Sequence, residues 1–477
     1  MNVAEPRYDR ARLTPGIVHI GVGNFHRAHM AAYLDDLFAL GEDHDWAIIG
    51  AGVRPADART REALKVQDWL STVIELGPDG RRARRVGSMV DFVEVDPANG
   101  PLIAAMRRPE IRIVSLTITE GGYFIDPASG RFDPCAPAIV ADGDTPDRPA
   151  TAFGAIVAAL RARRDAGIAP FTVLSCDNLP GNGNIARAAV TGLARLSDPG
   201  LADWIDAHVA FPNAMVDRIA PATGERERAI AAIFGLGDDP VPVTCEPFRQ
   251  WVIEDRFSAG RPALEKVGVT FSARVHDFET MKIRILNGGH AILGYPAELL
   301  GIGHVHEAMA DPVIAGFVDR IETDEIVPIV PPVPGQDLDD YKRLILARFA
   351  NPEIADTARR LCFDGSNRQP KFVIPSIGDN LARGVVPAGL ILASALWCRY
   401  CYGVDAEGQT IAPNDPDWEM LTVTARAARD DPARWIGMRP IYGDLADNPA
   451  LAAAFADALD CVWREGAHGA IMRYIES

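Results

Sequence analysis

The chain has 477 residues, 48% hydrophobic and 24% charged, which suits a soluble globular protein of two or three domains. A net charge of −17 and an isoelectric point near 5.1 argue against nucleic acid and against an anionic membrane surface as partners. The polar N-terminus lacks the apolar core of a secretory signal, and no run reaches the ~18 apolar residues of a transmembrane helix.

The first 277 residues alternate short apolar runs with helical stretches. Runs at 16–21 (GIVHIG), 46–50 (WAIIG), 112–119 (RIVSLTIT), 171–175 (FTVLS) and 207–211 (AHVAF) have the apolar, mostly β-branched character of buried parallel strands. Helical runs such as 27–40 and 151–166 lie between them. This rhythm predicts an α/β fold built on an open, doubly wound sheet. From about residue 278 helices dominate, at 279–300, 338–348, 353–361, 388–402, 416–428 and 449–465. A second, mainly helical domain is expected over 278–477. The Pro- and Asp-rich stretches 144–149 and 327–337 read as surface loops.

Four segments carry chemistry. Gly21-Val22-Gly23-Asn24-Phe25-His26 follows the first strand and opens a helix. Gly21 and Gly23 fit a dinucleotide fingerprint, one for the tight turn and one for close approach to a pyrophosphate; the third glycine is replaced by His26. Arg27 is expected to add charge near the phosphates. An ordinary βα turn is the alternative. The carboxylate that binds the ribose 2′-hydroxyl should end the second strand. Arg54 occupies that region, with Asp57 three residues on, so both NAD and NADP remain open.

Ser175-Cys176-Asp177-Asn178 ends the fourth of these strands, at the edge where doubly wound sheets bind ligands. Asn178 is a candidate donor to a substrate oxygen, a plain loop the alternative. Asp217 follows the next strand, either as a supporting carboxylate or in a surface pair with Arg218.

In 279–294 (ETMKIRILNGGHAILG), Lys282, Asn287 and His290 fall within ~140° on one helix face at 100° per residue. Each interior glycine costs a helix ~1 kcal/mol, so Gly288 and Gly289 imply close backbone approach. A lysine near an amide and an imidazole suits general-base chemistry; a wet polar face is the alternative. Finally, 364–371 (DGSNRQPK) reads as a cationic loop. With Arg360, its Arg368 and Lys371 are candidates to clamp a polyhydroxylated or anionic substrate; a solvated turn is the alternative.

Seven cysteines in mostly apolar contexts read as reduced thiols of the cytoplasm. Cys398 and Cys401 form a CxxC without a second pair, and His304 and His306 are not tied to it, so no metal site is expected.

Seven segments taken in order, 21–29, 117–123, 175–183, 211–218, 251–255, 282–290 and 364–371, resemble the polyol-specific long-chain dehydrogenases, the mannitol 2-dehydrogenase family. The resemblance implies an N-terminal Rossmann-type domain over 1–277 and a C-terminal helical domain over 278–477, with the active site in the cleft between them. It implies a metal-independent enzyme with Lys282 as general base. Asn178 and Asn287 would hold the reacting oxygen, His290 would orient the substrate, and Asp217, Arg360 and Arg368 would support the substrate side.

The reaction so implied is reversible NAD-dependent oxidation of a linear sugar alcohol to a ketose. D-Mannitol to D-fructose is the leading example, with D-arabinitol or D-sorbitol as alternatives. Partial burial would keep the lysine neutral. Other readings are a fructuronate-type hexuronate reductase, a non-catalytic nucleotide-binding sensor and a zinc-dependent alcohol dehydrogenase. A monomer or a dimer fits the sequence equally.

Overall fold

A computed structural model describes residues 2–126, 129–406 and 408–477. The chain divides into two compact units, Met1–His276 and Asp277–Ser477.

The first unit is organised by a five-stranded parallel sheet. Its strands are β1 (Pro15–Ile20), β2 (Ala47–Ala51), β3 (Met89–Phe92), β4 (Ile113–Leu116) and β5 (Thr172–Ser175), in the spatial order β3-β2-β1-β4-β5. This is the doubly wound order expected of a dinucleotide-binding fold. Every residue of β2, β4 and β5 is buried. Both faces are covered, which explains the continuous apolar runs. Val18, Ile20, Val114 and Leu116 pack with Phe153, Ile156 and Leu160 of the Ala152–Asp165 helix. Ile17, Ile48 and Ile113 pack with Leu34, Leu37 and Phe38 on the other face. Chain order reverses between β1 and β4. There the Thr117 hydroxyl donates to the Gly21 carbonyl at 2.6 Å.

Two smaller sheets complete the unit. One has the order Val3–Ala4, Gly80–Val86, Ser71–Gly77, Val243–Cys245. The other joins Ala214–Asp217 antiparallel to Gln250–Ile253, with Thr270–Phe271 alongside. The expected strand at 207–211 does not form. Asp198 caps a helix, Pro199–His208, that consumes the start of that run. Ala210 then offers its carbonyl to the Val173 N–H in isolation, and the strand comes at Ala214–Asp217. The helix expected over 27–40 is broken at His29, whose φ of −111° and ψ of −90° separate Asn24–Ala28 from Met30–Ala39.

The second unit is helical; among its described residues there are only isolated bridges, not strands. At its centre the Ala388–Cys401 helix is buried almost all round and packs on Gly288–Leu299 and Pro449–Glu476. Trp397 meets Trp435 edge-on at 4.7 Å. The helix expected over 353–361 shrinks to Ala358–Leu361, because Ala355 takes a φ of +51° and Thr357 caps a new start. The loop expected over 364–371 is a helix, Gly365–Phe372; the Asp415 carboxylate binds the Ser366 N–H and hydroxyl, each at 2.7 Å, and holds its first turn. No helix among the described residues is long and apolar enough to cross a membrane.

Candidate active site

In the first unit, the fingerprint loop is built by backbone geometry. Gly21 has a φ of +100°, and a Cβ there would lie 2.1 Å from the Thr117 carbonyl oxygen, so no side chain fits. Gly23 is exposed, with no atom nearer than 4.0 Å to its would-be Cβ. That is the close-approach surface a pyrophosphate requires. Asn24 locks the loop by donating to the Pro221 carbonyl (2.6 Å) and the Thr223 hydroxyl (3.0 Å). Phe25 is half-buried and stacks on His29 at 4.7 Å.

Arg27 is held inside the loop. It is 3% exposed and gives its donors to the Asn24 side chain (2.7 Å) and the Gly23 and Val241 carbonyls. Desolvation lowers its pKa to about 10. It braces the loop from below.

His26, in the place of the third glycine, is 1% exposed and lies flat on His19, with ring centroids 3.4 Å apart. His19 is fully bonded, to the Ser115 and Thr117 hydroxyls and the Gly21 carbonyl. Burial holds His26 well below the ordinary imidazole range, and His19 adds to this; burial, opposed in part by the Gly21 carbonyl, takes His19 to about 3. A flat neutral ring supplies the close helix–strand packing that glycine supplies elsewhere.

At the end of β2, the Asp57 carboxylate accepts from the Val53 and Arg54 N–H groups at 3.1 and 3.0 Å and pairs with the Arg54 guanidinium at 2.9 Å. The Arg54 side chain is 70% exposed. Arg54 and Asp57 are therefore one unit just past the end of β2.

At the end of β5, Asn178 is exposed on a loop held by buried neighbours. Asp177 accepts from the Ile118 and Thr119 N–H groups and from the Tyr123 hydroxyl (2.7 Å). Asn182, fully buried, donates to the Asp177 carbonyl (3.0 Å) and exchanges two bonds with the Ala214 backbone (2.7 and 2.9 Å). One side chain thus sets both the Asn178 loop and the strand that ends at Asp217. Sequence reading passed over Asp177 and Asn182; their signal was polar residues flanking an exposed asparagine at a strand end. Asp217 and Arg218 are each 5% exposed, which rules out the surface pair. Arg218 bonds the Ala28 and Glu246 carbonyls and Glu75, tying the fingerprint helix to two strands.

In the second unit, Lys282 and Asn287 bound a π-helical stretch between the helices Val275–Met281 and Gly288–Leu299. The continuous helix expected over 279–300 is thus interrupted, and the 100° step does not hold there. Such stretches are frequent at functional sites. Lys282 is 8% exposed and the Asn287 Oδ1 is buried without a protein partner. His290 is 9% exposed and stacks on Phe349 at 4.5 Å. Burial first, and then the charges of Arg360, Arg368 and Arg348, hold it well below the usual imidazole range. It is a neutral imidazole.

The structure brings His290, Arg360 and Arg368 into one electrostatic neighbourhood. The exposed Arg360 is paired with Asp356, and Arg368 donates to the Leu361 and Phe363 carbonyls at 2.9 and 3.3 Å. Lys371 is exposed in the last turn of Gly365–Phe372. The close approach implied by the glycine pair is real: a Cβ at Gly289 would lie 2.8 Å from the Glu322 Oε1 and 3.0 Å from the Phe349 ring. Among the described residues no cluster of His, Cys, Asp or Glu has metal-binding geometry.

Residues 15–266 match the mannitol dehydrogenase Rossmann domain model and residues 274–463 the mannitol dehydrogenase C-terminal domain model. The chain is 66% identical over 474 residues to the mannitol 2-dehydrogenase of Cereibacter sphaeroides, covering 99% of each chain. It is 41% identical to a mannitol 2-dehydrogenase of Aspergillus fumigatus, covering 98% of this chain and 95% of the other. Among solved structures it is similar to the Pseudomonas fluorescens mannitol 2-dehydrogenase in ternary complex with NAD and D-mannitol, at 43% identity, TM-score 0.85 and coverage of 100% and 97%. A D-sorbitol dehydrogenase in substrate-free form aligns at 35% identity and TM-score 0.91, covering 98% and 97%.

Proposed function

The chain belongs to the mannitol dehydrogenase family, and from that premise we propose that it oxidises C2 of D-mannitol to give D-fructose, reversibly, with Lys282 as general base. It is an NAD-dependent polyol dehydrogenase. The residues present fit the cofactor: Gly21 and Gly23 leave the space a pyrophosphate needs, and Arg54 with Asp57 stands where the ribose is read. When bound, NAD accepts the hydride. The observation that carries the reading is the set formed by Lys282 and Asn287, at the two ends of the π stretch, and His290 in the helix that follows, in a chain of this family.

Lys282 takes the proton from the hydroxyl oxygen while the carbon that bears it gives up the hydride, and in the reverse direction Lys282 returns the proton. Asn178 and Asn287 donate to the oxygen as it becomes an alkoxide, an oxyanion-hole pair whose stabilisation grows with the developing charge. His290, being neutral, can both donate to and accept from polyol hydroxyls without adding a charge. The buried Asp217 supports the site.

A second reading, reduction of a hexuronate, is favoured by the three guanidiniums felt at His290. It is weakened because Asp356 neutralises Arg360 and backbone carbonyls occupy Arg368. Turnover of C5 and C6 polyols and of hexuronates, each with NAD and NADP, tests both. The mannitol reading requires the highest kcat/KM for D-mannitol or D-fructose, and higher values for a hexuronate overturn it. No turnover of any of these substrates would point to a nucleotide-binding sensor.

A further inference from the structure

Thr119 is the third residue past the end of β4, and it has a φ of +67° with a ψ of +163°. Glycine occupies that region freely and a β-branched residue almost never, so Thr119 is strained and persists only because its surroundings impose it. The Glu120–Tyr123 turn that follows contains Gly121 and Gly122, yet the strained position itself is a threonine.

The Asp177 carboxylate imposes it. Its Oδ2 accepts from the Ile118 N–H at 3.0 Å and its Oδ1 from the Thr119 N–H at 2.9 Å, both ahead of the strained torsions. Beyond them, Oδ2 also accepts from the Tyr123 hydroxyl at 2.7 Å. Between these anchors the Gly122 N–H closes on the Thr119 carbonyl at 3.0 Å. One buried carboxylate thus holds the chain on both sides of Thr119.

Two further connections give this clamp a place in the site. Upstream, Thr117 donates its hydroxyl to the Gly21 carbonyl at 2.6 Å and its N–H to the Ile20 carbonyl at 3.0 Å. The Thr117–Thr119 segment therefore starts from the fingerprint loop. Downstream, Asn178 is the next residue after Asp177. A path from Gly21 to Asn178 runs through Thr117, the Ile118 and Thr119 N–H groups and the Asp177 carboxylate, all within the first unit.

We propose that Asp177 is a positioning residue: by clamping the strained Thr119 backbone it fixes how far the dinucleotide loop at Gly21 stands from Asn178, and so keeps the seat of the cofactor in register with the amide that meets the alkoxide. Without the clamp, Thr119 relaxes toward an extended backbone and the register loosens. The inference rests on the proposed role of Asn178 in holding the reacting oxygen. An amide offers one acceptor oxygen where a carboxylate offers two, so Asp177→Asn gives up at least one of the two N–H bonds.

The test compares Asp177→Asn, Thr119→Gly and the Asn/Gly double variant in the full chain, each for Tm without NAD, Kd for NAD and turnover of D-mannitol. Asp177→Asn should lower kcat by at least about tenfold, toward the ~10²-fold of a 1 Å misplacement, with the Kd for NAD within about threefold of wild type. Thr119→Gly should raise Tm by about 2 °C in the wild-type chain, because glycine takes that backbone without strain. Beside Asp177→Asn it should raise Tm by about half of that or less, because the threonine has already relaxed. The double variant should turn over at least about threefold faster than Asp177→Asn, since no strain opposes the bonds that remain. Wild-type kcat in Asp177→Asn would overturn the inference. So would equal Tm shifts from Thr119→Gly in the two backgrounds, or a double variant no faster than Asp177→Asn. If Asp177→Asn does not fold, Tyr123→Phe removes one bond to the same carboxylate and should lose kcat by about threefold, a loss that Thr119→Gly restores; no loss there is equally decisive against the clamp. Full turnover in Asn178→Ala would instead remove the role of Asn178, and it would leave the Tm coupling of Thr119 and Asp177 in place, so the two failures are distinct.

Discussion

The imidazole of His26 lies flat on that of His19, 3.4 Å between centroids and 13° between planes, beside the Gly21–Gly23 loop. Protonating either ring would place a charge against its neighbour in a buried site.

Stability should register this. In the unfolded chain His26 titrates near ~6.5, while in the folded chain it is held well below that value, first by desolvation and then by His19. Below pH ~6.5 the unfolded state therefore binds a proton that the folded state refuses, and this contribution to stability falls as pH falls. Glu322 acts in the opposite sense, since its carboxyl is raised and favours the folded state toward acid pH. A difference between variants isolates the histidine: His26→Phe keeps a flat ring but cannot titrate. Urea unfolding should show the variant gaining on wild type by up to ~1.4 kcal/mol per pH unit below pH 6.5. A pH-independent difference would mean that His26 titrates alike in the folded and unfolded chain.

Lys282→Ala should lower kcat by roughly 10²–10⁴, the range for lost acid–base catalysis, while the Kd for NAD barely moves. Binding and turnover measured on the same preparation separate the two. Near-normal turnover would remove Lys282 as the base.

Asn178→Ala and Asn287→Ala should each cost ~10²–10³ in kcat, as for loss of one oxyanion donor. If either changes KM alone, that asparagine binds the ground state and not the alkoxide.

Cofactor choice turns on one ion pair. Asp57 is occupied by the Val53 and Arg54 N–H groups and by the Arg54 guanidinium, which is otherwise exposed. NAD should be preferred over NADP in wild type. Arg54→Ala should weaken NADP by ~1.5–3 kcal/mol more than NAD, the range for hydrogen bonds to a charged group. Specificity constants for both cofactors decide this, and equal effects on the two would show that Arg54 does not read the 2′ position.

Activity should survive prolonged chelation, with less than stoichiometric zinc by elemental analysis. Loss on chelation that zinc restores would bring the zinc-dependent reading back.

Strands β1, β2, β4 and β5 were legible because a sheet covered on both faces writes itself as continuous apolar runs. The hairpin Ser71–Gly77/Gly80–Val86 was not read, although Gly77-Pro78-Asp79-Gly80 is a strong turn signal, because GRRARRV lacks apolar character. The strand misplaced at 207–211 was lost to the Asp198 cap, a local competitor that an apolar run does not reveal. Lys282, Asn287 and His290 stood out by residue type. Their true geometry did not, since a π stretch leaves no mark on the spacing of apolar residues. How Arg27 is held was not legible, since one of its three acceptors is 214 residues away. Asn182 shows the same limit: two of its three bonds reach Ala214, 32 residues away, and only folding brings them together.

The stretch Lys282–Asn287 also bears on how this chain tolerates insertions and deletions. A π turn closes its hydrogen bonds five residues apart where an α-helix closes them four apart, so it holds one residue more than the helix around it. Deleting a single residue from 283 to 286 would let the ladder revert to ordinary pairing, and the segment could remain a sound helix. Lys282 would then be set at a different angle from Asn287 and His290. A shortened lineage could keep its fold and its grip on the dinucleotide while losing the alignment of base and amide, so that folding and chemistry would part at one codon.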